Sequence, residues 1–256
     1  MKGHKVRADD REGGVRVLTF DRPPANAIDE ELLGDLHAAL REAEREDGVR
    51  AVVLTGAGAF FGAGFDLAAP PRDAAAVARL NTLYRDTHLA LLGLPKPTIA
   101  MVNGHAIAGG MVMVLACDYR LGREGDYRIG LNEVAIGASY PKAAFEIVRL
   151  RLTHARASEV LLGAAIYPAS QGIRLGVVDE LLPADTFEAT VLRRAARIGA
   201  FPRDAYAHTK MQLVSEAIAR TLAETPEERE RAAAVWSSKE SRAARAAQRQ
   251  KLGMKD

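Results

Sequence analysis

The sequence contains a single cysteine, Cys117, among 256 residues. One cysteine excludes an intramolecular disulfide bond and a cysteine-based metal cluster. Because Cys117 lies within a run of apolar residues, we predict that it is a small buried core residue rather than a nucleophile. The six histidines have no metal-ligand spacing such as H-x-x-x-H, so we also expect no metal site.

An excess of one charge sign and a long apolar stretch are also missing. The 35 basic and 33 acidic residues are spread along the chain and leave a formal net charge of +2, which gives no reason to expect nucleic acid or a membrane surface as a partner. No apolar stretch approaches the roughly 20 residues that span a bilayer. The start, "MKGHKVRADDREGG", lacks the apolar core of a signal peptide. We therefore expect a cytoplasmic protein.

Hydrophobic patterning predicts strands that alternate with helices. Residues Val15 to Phe20 are typical of a strand, and "VRAVVLTGAG" and "KPTIAMVNG" are typical of strands buried on both faces. A helix behind the N-cap Asp29 is predicted from helical spacing, and a second from about Asp73 to Leu92. Short strands are predicted in "DYRLG" and "YRIGL". This order indicates an α/β architecture. The apolar residues of the first helix are Leu32, Leu33, Leu36, Leu40 and Ala43.

From about Pro141 the pattern predicts successive helices and one short strand, "GVVDELLP". The last segment begins with a capping box, in which Thr225 is the N-cap, Pro226 the first helical residue and Glu228 the reciprocal partner. We expect one long helix after it, with Trp236 as its large anchor. The chain is accordingly divided into an α/β core, residues 1–195, and a C-terminal helical region, residues 196–256.

The glycine-rich segment "GAGAFFGAGFDL", residues 56–67, follows a buried strand. Glycines allow backbone N–H groups to approach a ligand closely, but the same composition is also typical of a flexible turn. The segment lacks the lysine of a phosphate-binding P-loop and the spacing of a dinucleotide fingerprint.

A second glycine pair, Gly109-Gly110, opens the apolar segment of "GHAIAGGMVMVLACDYR". Two interpretations are open. The free N–H groups and positive dipole end of a helix start can stabilise a developing anion, or small residues can permit close helix packing.

Glu133 stands in "YRIGLNEVAIG" among Ile129, Leu131, Val134 and Ile136. The carboxylate is either exposed to solvent on a loop or desolvated with a raised pKa, which would suit it to proton transfer near neutral pH. An isolated glutamate is more often solvated.

Taken together and in this order, these segments resemble the crotonase superfamily, the enoyl-CoA hydratase/isomerase family. "VLTFDRPPANAIDEELLGDL" resembles its first strand and turn, "GAFFGAGFDL" its oxyanion loop, and "VNGHAIAGGMVMVLACDYR" its central helix. "IGLNEVAIG" resembles its catalytic-glutamate loop, and "ASEVLLGAAIYPASQGIRLGVVDELLP" the segment after that loop.

The resemblance implies the α/β crotonase fold of spiralled ββα turns, with a C-terminal helical trimerisation region that forms a homotrimer or a dimer of trimers. It implies an acyl-CoA thioester as substrate, with no cofactor beyond the coenzyme A of that substrate. The N–H groups of Ala63 and Gly109 would form the oxyanion hole, and Glu133 would be the catalytic acid–base. The positions that match coenzyme A or acyl contacts are Ala25, Ala27, Gly64, Phe65, Asp66, Leu67, Gly110, Val112 and Tyr140.

One departure from the family pattern bears on the reaction. Hydratases of this family carry a second glutamate on the central helix, and Val112 stands at that position here. Shifting a double bond from C3 to C2 needs one base that moves a proton, whereas adding water is usually shared by two carboxylates. We therefore expect an enoyl-CoA isomerase; hydration, thioester hydrolysis or decarboxylation are alternatives, as is a non-catalytic acyl-CoA or RNA binder.

Overall fold

Ten strands form two β-sheets in the computed structural model, which describes residues 4–69 and 73–253. In this part of the chain the strands are β1 (Val6–Arg11), β2 (Val15–Phe20), β3 (Ala51–Gly56), β4 (Phe60–Gly62), β5 (Thr98–Val102), β6 (His105–Ile107), β7 (Tyr119–Arg123), β8 (Arg128–Gly130), β9 (Ile166–Pro168) and β10 (Glu180–Leu182). The larger sheet has the order β1-β2-β3-β5-β7-β10 and the smaller one β4-β6-β8-β9. Only β1 with β2 and β8 with β9 pair antiparallel among these strands.

Helices connect the strands and cover the sheets. Within the described residues they are α1 (Glu30–Arg45), α2 (Ala74–Leu92), α3 (Gly109–Ala116), α4 (Lys142–Arg151), α5 (His154–Gly163), α6 (Gly172–Leu175), α7 (Phe187–Gly199), α8 (Arg203–Leu222), α9 (Pro226–Ser237) and α10 (Lys239–Lys251). Three successive ββα turns, β3-β4-α2, β5-β6-α3 and β7-β8-α4, each place one strand in the larger sheet and the next in the smaller sheet. The chain therefore advances as a spiral of ββα turns.

The main elements predicted from patterning are present. The Asp29 side chain accepts a hydrogen bond from the Leu32 N–H at 2.8 Å and caps α1, and the apolar stripe of that helix is buried. Every residue of β3 and β5 is buried, as continuous apolar strands between two covered faces require. The strand predicted over Val15–Phe20 is β2, and α2 begins after its N-cap Asp73.

The larger sheet separates two hydrophobic clusters, because side chains alternate between the faces of each strand. Leu18, Val52 and Leu54 face α1 and α3, whereas Val17 and Val53 face α7. All eight residues of α3 are buried, and the six from Met111 to Ala116 belong to the first cluster. Cys117, at the end of α3, is also buried, and burial raises the pKa of its thiol to about 12. The predicted core role of Cys117 is confirmed.

Four strands were not predicted: β1, β4, β6 and β9. β4, β6 and β9 have three residues each, which is too short for a period of two to be recognised. β1 carries charged residues at four of its six positions, because it is the edge strand of the larger sheet and pairs on one side only. Tertiary pairing, and not local apolar content, forms these strands.

The C-terminal region corrects two predictions. The Thr225 capping box is present, with both reciprocal hydrogen bonds, but the helix it opens ends at Ser237, and Ser238 caps a separate helix, α10. Trp236 is 38% exposed and lies under the Arg245 guanidinium at 3.8 Å, so it is not a buried anchor.

The boundary drawn at 195/196 falls inside α7. No described helix is long and apolar enough to cross a bilayer.

Candidate active site

Three parallel strands of the smaller sheet end beside one another. Gly62 of β4 pairs with Ala106 of β6, and Ile107 of β6 pairs with Gly130 of β8. Parallel strands have their carboxyl ends at one edge of the sheet, where ligands bind in α/β folds. The three segments that follow these strands, the 63–69 loop, the start of α3 and the Glu133 loop, therefore meet at that edge. Sequence similarity alone had grouped these three segments.

The Ala63 N–H donates to the Ala25 carbonyl at 3.0 Å. This hydrogen bond joins the 63–69 loop to the turn before α1, where the neighbouring Asn26 donates to the carbonyls of Ala57 and Phe60. The Ala63 N–H is therefore already paired within the fold. Its predicted role as an oxyanion donor is wrong, because a paired amide is not available to a substrate oxygen.

Phe65 presents the free amide of the loop. The Gly64 carbonyl accepts from the Ile28 N–H at 3.0 Å, and the Asp66 N–H donates to the Ile28 carbonyl at 3.0 Å. In a planar trans peptide the N–H points opposite to the carbonyl, so the Phe65 N–H points away from Ile28. Within residues 4–69 and 73–253 it has no acceptor.

Arg22 and Asp66 hold this loop in position. Arg22 donates to the Asp66 carboxylate at 2.5 Å and to the Asp29 carboxylate at 2.6 Å. Asp66 also accepts from the amides of Ala68 and Ala69. Burial opposes ionisation of Asp66, but the hydrogen bonds from Arg22 and the two amides outweigh it and hold the pKa of Asp66 below its usual value. Asp66 thus orients its loop as an ionised carboxylate.

The two glycines at the start of α3 serve different purposes. A Cβ on Gly110 would lie 2.1 Å from the Gly62 carbonyl oxygen, so Gly110 permits close packing against the β4 backbone. Gly109 is the first helical residue, and the Ala108 carbonyl before it accepts from Val112 at 3.1 Å. The Gly109 N–H therefore points out of the helix, opposite to that carbonyl.

Ala108 controls the direction of the Gly109 amide. Its backbone has φ 52° and ψ −129°. Residues other than glycine seldom adopt this conformation, and where they do, it is often at functional sites. The Ala108 N–H is anchored to the Gly130 carbonyl at 2.8 Å. The strained backbone of Ala108 thus sets the orientation of the peptide between Ala108 and Gly109, and the Ala108 N–H is fixed to β8. Nothing in the sequence "AIAGG" indicated this strain.

Glu133 is buried, with 9% of its surface exposed. Its Oε2 atom is enclosed and has no hydrogen-bond partner in the described structure. Burial raises the pKa of Glu133 to about 7, and its own backbone amide and the Tyr140 hydroxyl counteract the rise only in part. Of the two interpretations of this glutamate, the desolvated one is therefore correct. A carboxyl with such a pKa exchanges protons readily near neutral pH.

The walls of the site contain two tyrosines. The hydroxyl of Tyr140, which is half-buried, contacts the carbonyls of Leu131 and Leu161 at 3.4 and 3.5 Å, distances that are long for hydrogen bonds. Tyr84 of α2 is buried against Phe65, with ring centroids 5.1 Å apart. Tyr84 was not singled out in the sequence, because a tyrosine at helical spacing does not differ from an ordinary core residue.

The other predicted contact positions divide into two groups. Ala25, Ala27, Gly64, Asp66 and Leu67 are half-buried on the turn and loop around Phe65, where a ligand can reach them. Val112 and Gly110 are fully buried. Val112 has no exposed surface and is a core residue, so its predicted contact with substrate is corrected.

The C-terminal helix α10 covers the Glu133 loop. The Arg245 side chain donates to the Gly137 carbonyl at 3.1 Å, and a Cβ on Gly137 would lie 2.5 Å from the Ser241 Cα. Gly137 has φ 69°, so it takes a left-handed conformation at this contact. Residues 238–241 are thus the capped start of α10, and this start docks beside the glutamate loop.

Comparisons with known proteins agree on one family. The sequence pattern of the family described as enoyl-CoA hydratase/isomerase matches residues 10–251. Human mitochondrial enoyl-CoA delta isomerase 1 is 30% identical over 207 residues, 80% of this chain and 68% of that protein. A probable enoyl-CoA hydratase, EchA17, of Mycobacterium avium is 29% identical over 204 residues, 78% of each chain.

The fold is similar to that of a solved isomerase. The crystal structure of human mitochondrial delta3-delta2-enoyl-CoA isomerase superposes with a TM-score of 0.91 at 25% sequence identity, covering 97% of this chain and 98% of that one. The predicted crotonase fold of spiralled ββα turns is therefore confirmed. Both isomerases and hydratases occur among the similar proteins, so similarity supports the family without choosing the reaction.

Proposed function

The chain belongs to the enoyl-CoA hydratase/isomerase family, and we propose that it is an isomerase that shifts a C3 double bond of an acyl-CoA thioester to C2. Two observations together carry the proposal. Glu133 is a buried glutamate, and Val112, at the position of the second glutamate of hydratases in this family, is an apolar core residue. One carboxyl is sufficient for a proton shift. Activation and addition of water are usually shared by two.

In the proposed mechanism the N–H groups of Phe65 and Gly109 donate to the thioester oxygen. They lie close together, because a Cβ on Gly64 would be 3.5 Å from the Gly109 nitrogen and Phe65 follows Gly64 directly. Preorganised donors of this kind contribute about 3 kcal/mol each to stabilising a developing oxyanion. The strained Ala108 and the Arg22–Asp66 ion pair keep both donors oriented before substrate binds.

Glu133 would carry the proton. As a carboxylate it removes a proton from C2, and the electron pair of that C–H bond delocalises through C1 onto the thioester oxygen, giving a dienolate. The protonated Glu133 then returns the proton to C4, and the double bond comes to lie between C2 and C3. Proton and charge are conserved, so the proposed reaction requires no cofactor beyond the coenzyme A of the substrate. A pKa of about 7 suits both half-steps.

The test is turnover of a 3-enoyl-CoA and of a 2-enoyl-CoA by the wild-type protein and by Glu133→Gln. We expect the wild type to convert the 3-enoyl thioester to the conjugated 2-enoyl product, followed by ultraviolet absorbance, and the variant to lose this turnover. Glu230→Gln, the same change at an exposed glutamate of α9, is the matched control. A product heavier by one water from 2-enoyl-CoA would refute isomerisation in favour of hydration.

For assembly we propose a homotrimer or a dimer of trimers, as the family resemblance implies. Large apolar side chains exposed on helices of the second half of the chain support self-association, among them Leu162, Ile173 and Leu213. Light scattering coupled to gel filtration would measure the mass. A monomer at micromolar concentration would refute this assignment.

A further inference from the structure

The turn that follows Glu133 lies at the surface, although it carries the buried carboxyl. The amides of Ile136 and Ala138 donate to the Glu133 carbonyl at 3.1 and 2.8 Å, so the backbone of Glu133 is fixed to this turn. No residue from Val134 to Ile136 is buried, and Val134 is 47% exposed. The position of the Glu133 carboxyl therefore depends on what holds the turn from outside.

Helix α10 holds the turn at Gly137. The two backbones approach so closely that a Cβ on Gly137 would lie 2.5 Å from the Ser241 Cα, and Ser241 is buried by this contact. The Arg245 Nη1 group donates to the Gly137 carbonyl at 3.1 Å. Ser241 and Arg245 are one helical turn apart and share a face of α10. This face of α10 is therefore packed on the turn.

Arg245 also joins the turn to the end of α9. Its Nη2 group donates to the Trp236 carbonyl at 2.6 Å, and its guanidinium carbon lies 3.8 Å from the centroid of the Trp236 ring. Both carbonyls are at the carboxyl ends of helical segments, where a cation is favoured. Within residues 4–69 and 73–253 no carboxylate lies within ion-pair distance of Arg245. Two carbonyls and an aromatic face thus orient the guanidinium.

We propose that Arg245 is a positioning residue, which fixes the turn at Gly137, directs the Glu133 carboxyl toward the acyl chain and keeps water from it. This inference rests on the proposed role of Glu133 as the proton shuttle. A small displacement of a catalytic group lowers kcat strongly, because the reacting atoms must meet within narrow limits of distance and angle. Without the Arg245 hydrogen bonds the turn loosens, and water reaches the carboxyl.

Arg245→Met removes the guanidinium but keeps an unbranched side chain. We expect kcat with 3-enoyl-CoA to fall about 10-fold or more while KM stays within about two-fold, because the oxyanion donors Phe65 and Gly109 belong to other segments. Water at the carboxyl should lower the pKa of Glu133 from about 7, so the rise of kcat/KM with pH should move to lower pH. Arg242→Met, the same change at an exposed arginine of α10, is the matched control and should leave both quantities unchanged.

The direction of the pKa change separates positioning from a direct effect of charge. Besides burial, its own amide and the Tyr140 hydroxyl act on the pKa of Glu133, and Tyr84 is the other titratable group coupled to it. Loss of a neighbouring positive charge raises the pKa of a carboxyl, whereas entry of water lowers it. A raised pKa of Glu133 in Arg245→Met would therefore overturn the inference.

Unfolding measurements test the same inference without turnover. If the Glu133 carboxyl is desolvated, Glu133→Gln stabilises the fold more at pH 8 than at pH 5. In the Arg245→Met background this extra gain should fall by about half or more, because the carboxyl is already hydrated there. Trp236→Leu removes the ring beneath Arg245 and keeps the carbonyl, so it should change kcat and the extra gain in the same direction by smaller amounts.

An unchanged kcat in Arg245→Met overturns the inference. A lower kcat with the pH profile and the extra gain both unchanged also overturns it, because the loss would then reflect general loosening of the fold. If Arg245→Met does not fold, the same outcomes in Trp236→Leu decide. If the wild type does not turn over 3-enoyl-CoA, the isomerase proposal fails, and the unfolding comparison still establishes whether Arg245 keeps water from Glu133.

Discussion

Replacing Glu133 by glutamine should make the folded protein more stable above neutral pH while abolishing turnover. The pKa of Glu133 is raised from 4.5 to about 7 by burial. Between these values the folded state binds a proton that the unfolded state has released, so unfolding becomes easier as the pH rises through this window. Above about pH 7 the buried carboxylate costs the fold its full penalty, and below about pH 4.5 it costs nothing.

The size of the effect follows from the shift. A rise of about 2.5 pKa units corresponds to about 3 kcal/mol of destabilisation when the group is ionised. Glutamine does not titrate, so any cost of burying its amide is independent of pH. The gain in stability of Glu133→Gln over the wild type should therefore be larger at pH 8 than at pH 5 by about 2.5 kcal/mol, or a difference of about 5 °C in midpoint.

The assay is thermal or urea unfolding of both proteins at pH 5 and pH 8, with Glu230→Gln as the exposed control. Because only the pH dependence of the difference is used, the comparison does not depend on how the amide packs. A gain that is the same at both pH values would refute the desolvation of Glu133, and with it the reason for assigning the proton shuttle to this residue. A substitution that raises stability while it removes activity is the usual sign of an active-site residue.

Further predictions concern the pH profile, the glycine at the helix start and the loop clamp. The kcat/KM of the wild type should rise with pH and level off above about 7, because Glu133 acts as a base only when ionised, and initial rates across the pH range would check this. Gly110→Ala should lower the melting temperature and remove activity, because its Cβ meets a backbone carbonyl at 2.1 Å. Gly34→Ala, with open space around it in α1, should raise stability by about 1 kcal/mol in the same melt. Arg22→Met should lower kcat at least 10-fold, because Asp66 loses the partner that orients its loop; an unchanged kcat would show that the loop needs no clamp.

Local chemistry was sufficient to predict the elements that depend on nearest neighbours. The hydrogen bonds of the α1 cap at Asp29 and of the capping box at Thr225 form within one helical turn, so residue type and spacing are enough to predict them. A strand buried on both faces, such as β3, has no polar face and is therefore recognised as a continuous apolar run. The family resemblance of three glycine- or glutamate-bearing segments, in their order along the chain, grouped them as one site, and the structure shows that parallel strands bring them to one edge.

The choice of oxyanion donor could not be predicted from the sequence. Ala63 and Phe65 stand two residues apart in the same motif, and which amide is free depends on partners far along the chain, Ala25 and Ile28. Those partners exist only when the turn before α1 packs on the loop. Tyr84 was missed for the same reason, because its neighbours Phe65 and Gly109 come from other elements.

The sequence by itself determined the α/β class, the helix caps and the buried core helix α3, because each of these follows from residue type and spacing. It also fixed Val112 at the position where the family resemblance implies a second glutamate in hydratases. Only the tertiary structure decided that Glu133 is desolvated, that Val112 belongs to the core, and which backbone amide faces the site. These properties depend on which distant surfaces exclude water from a group, and contacts between segments remote in sequence set that exclusion.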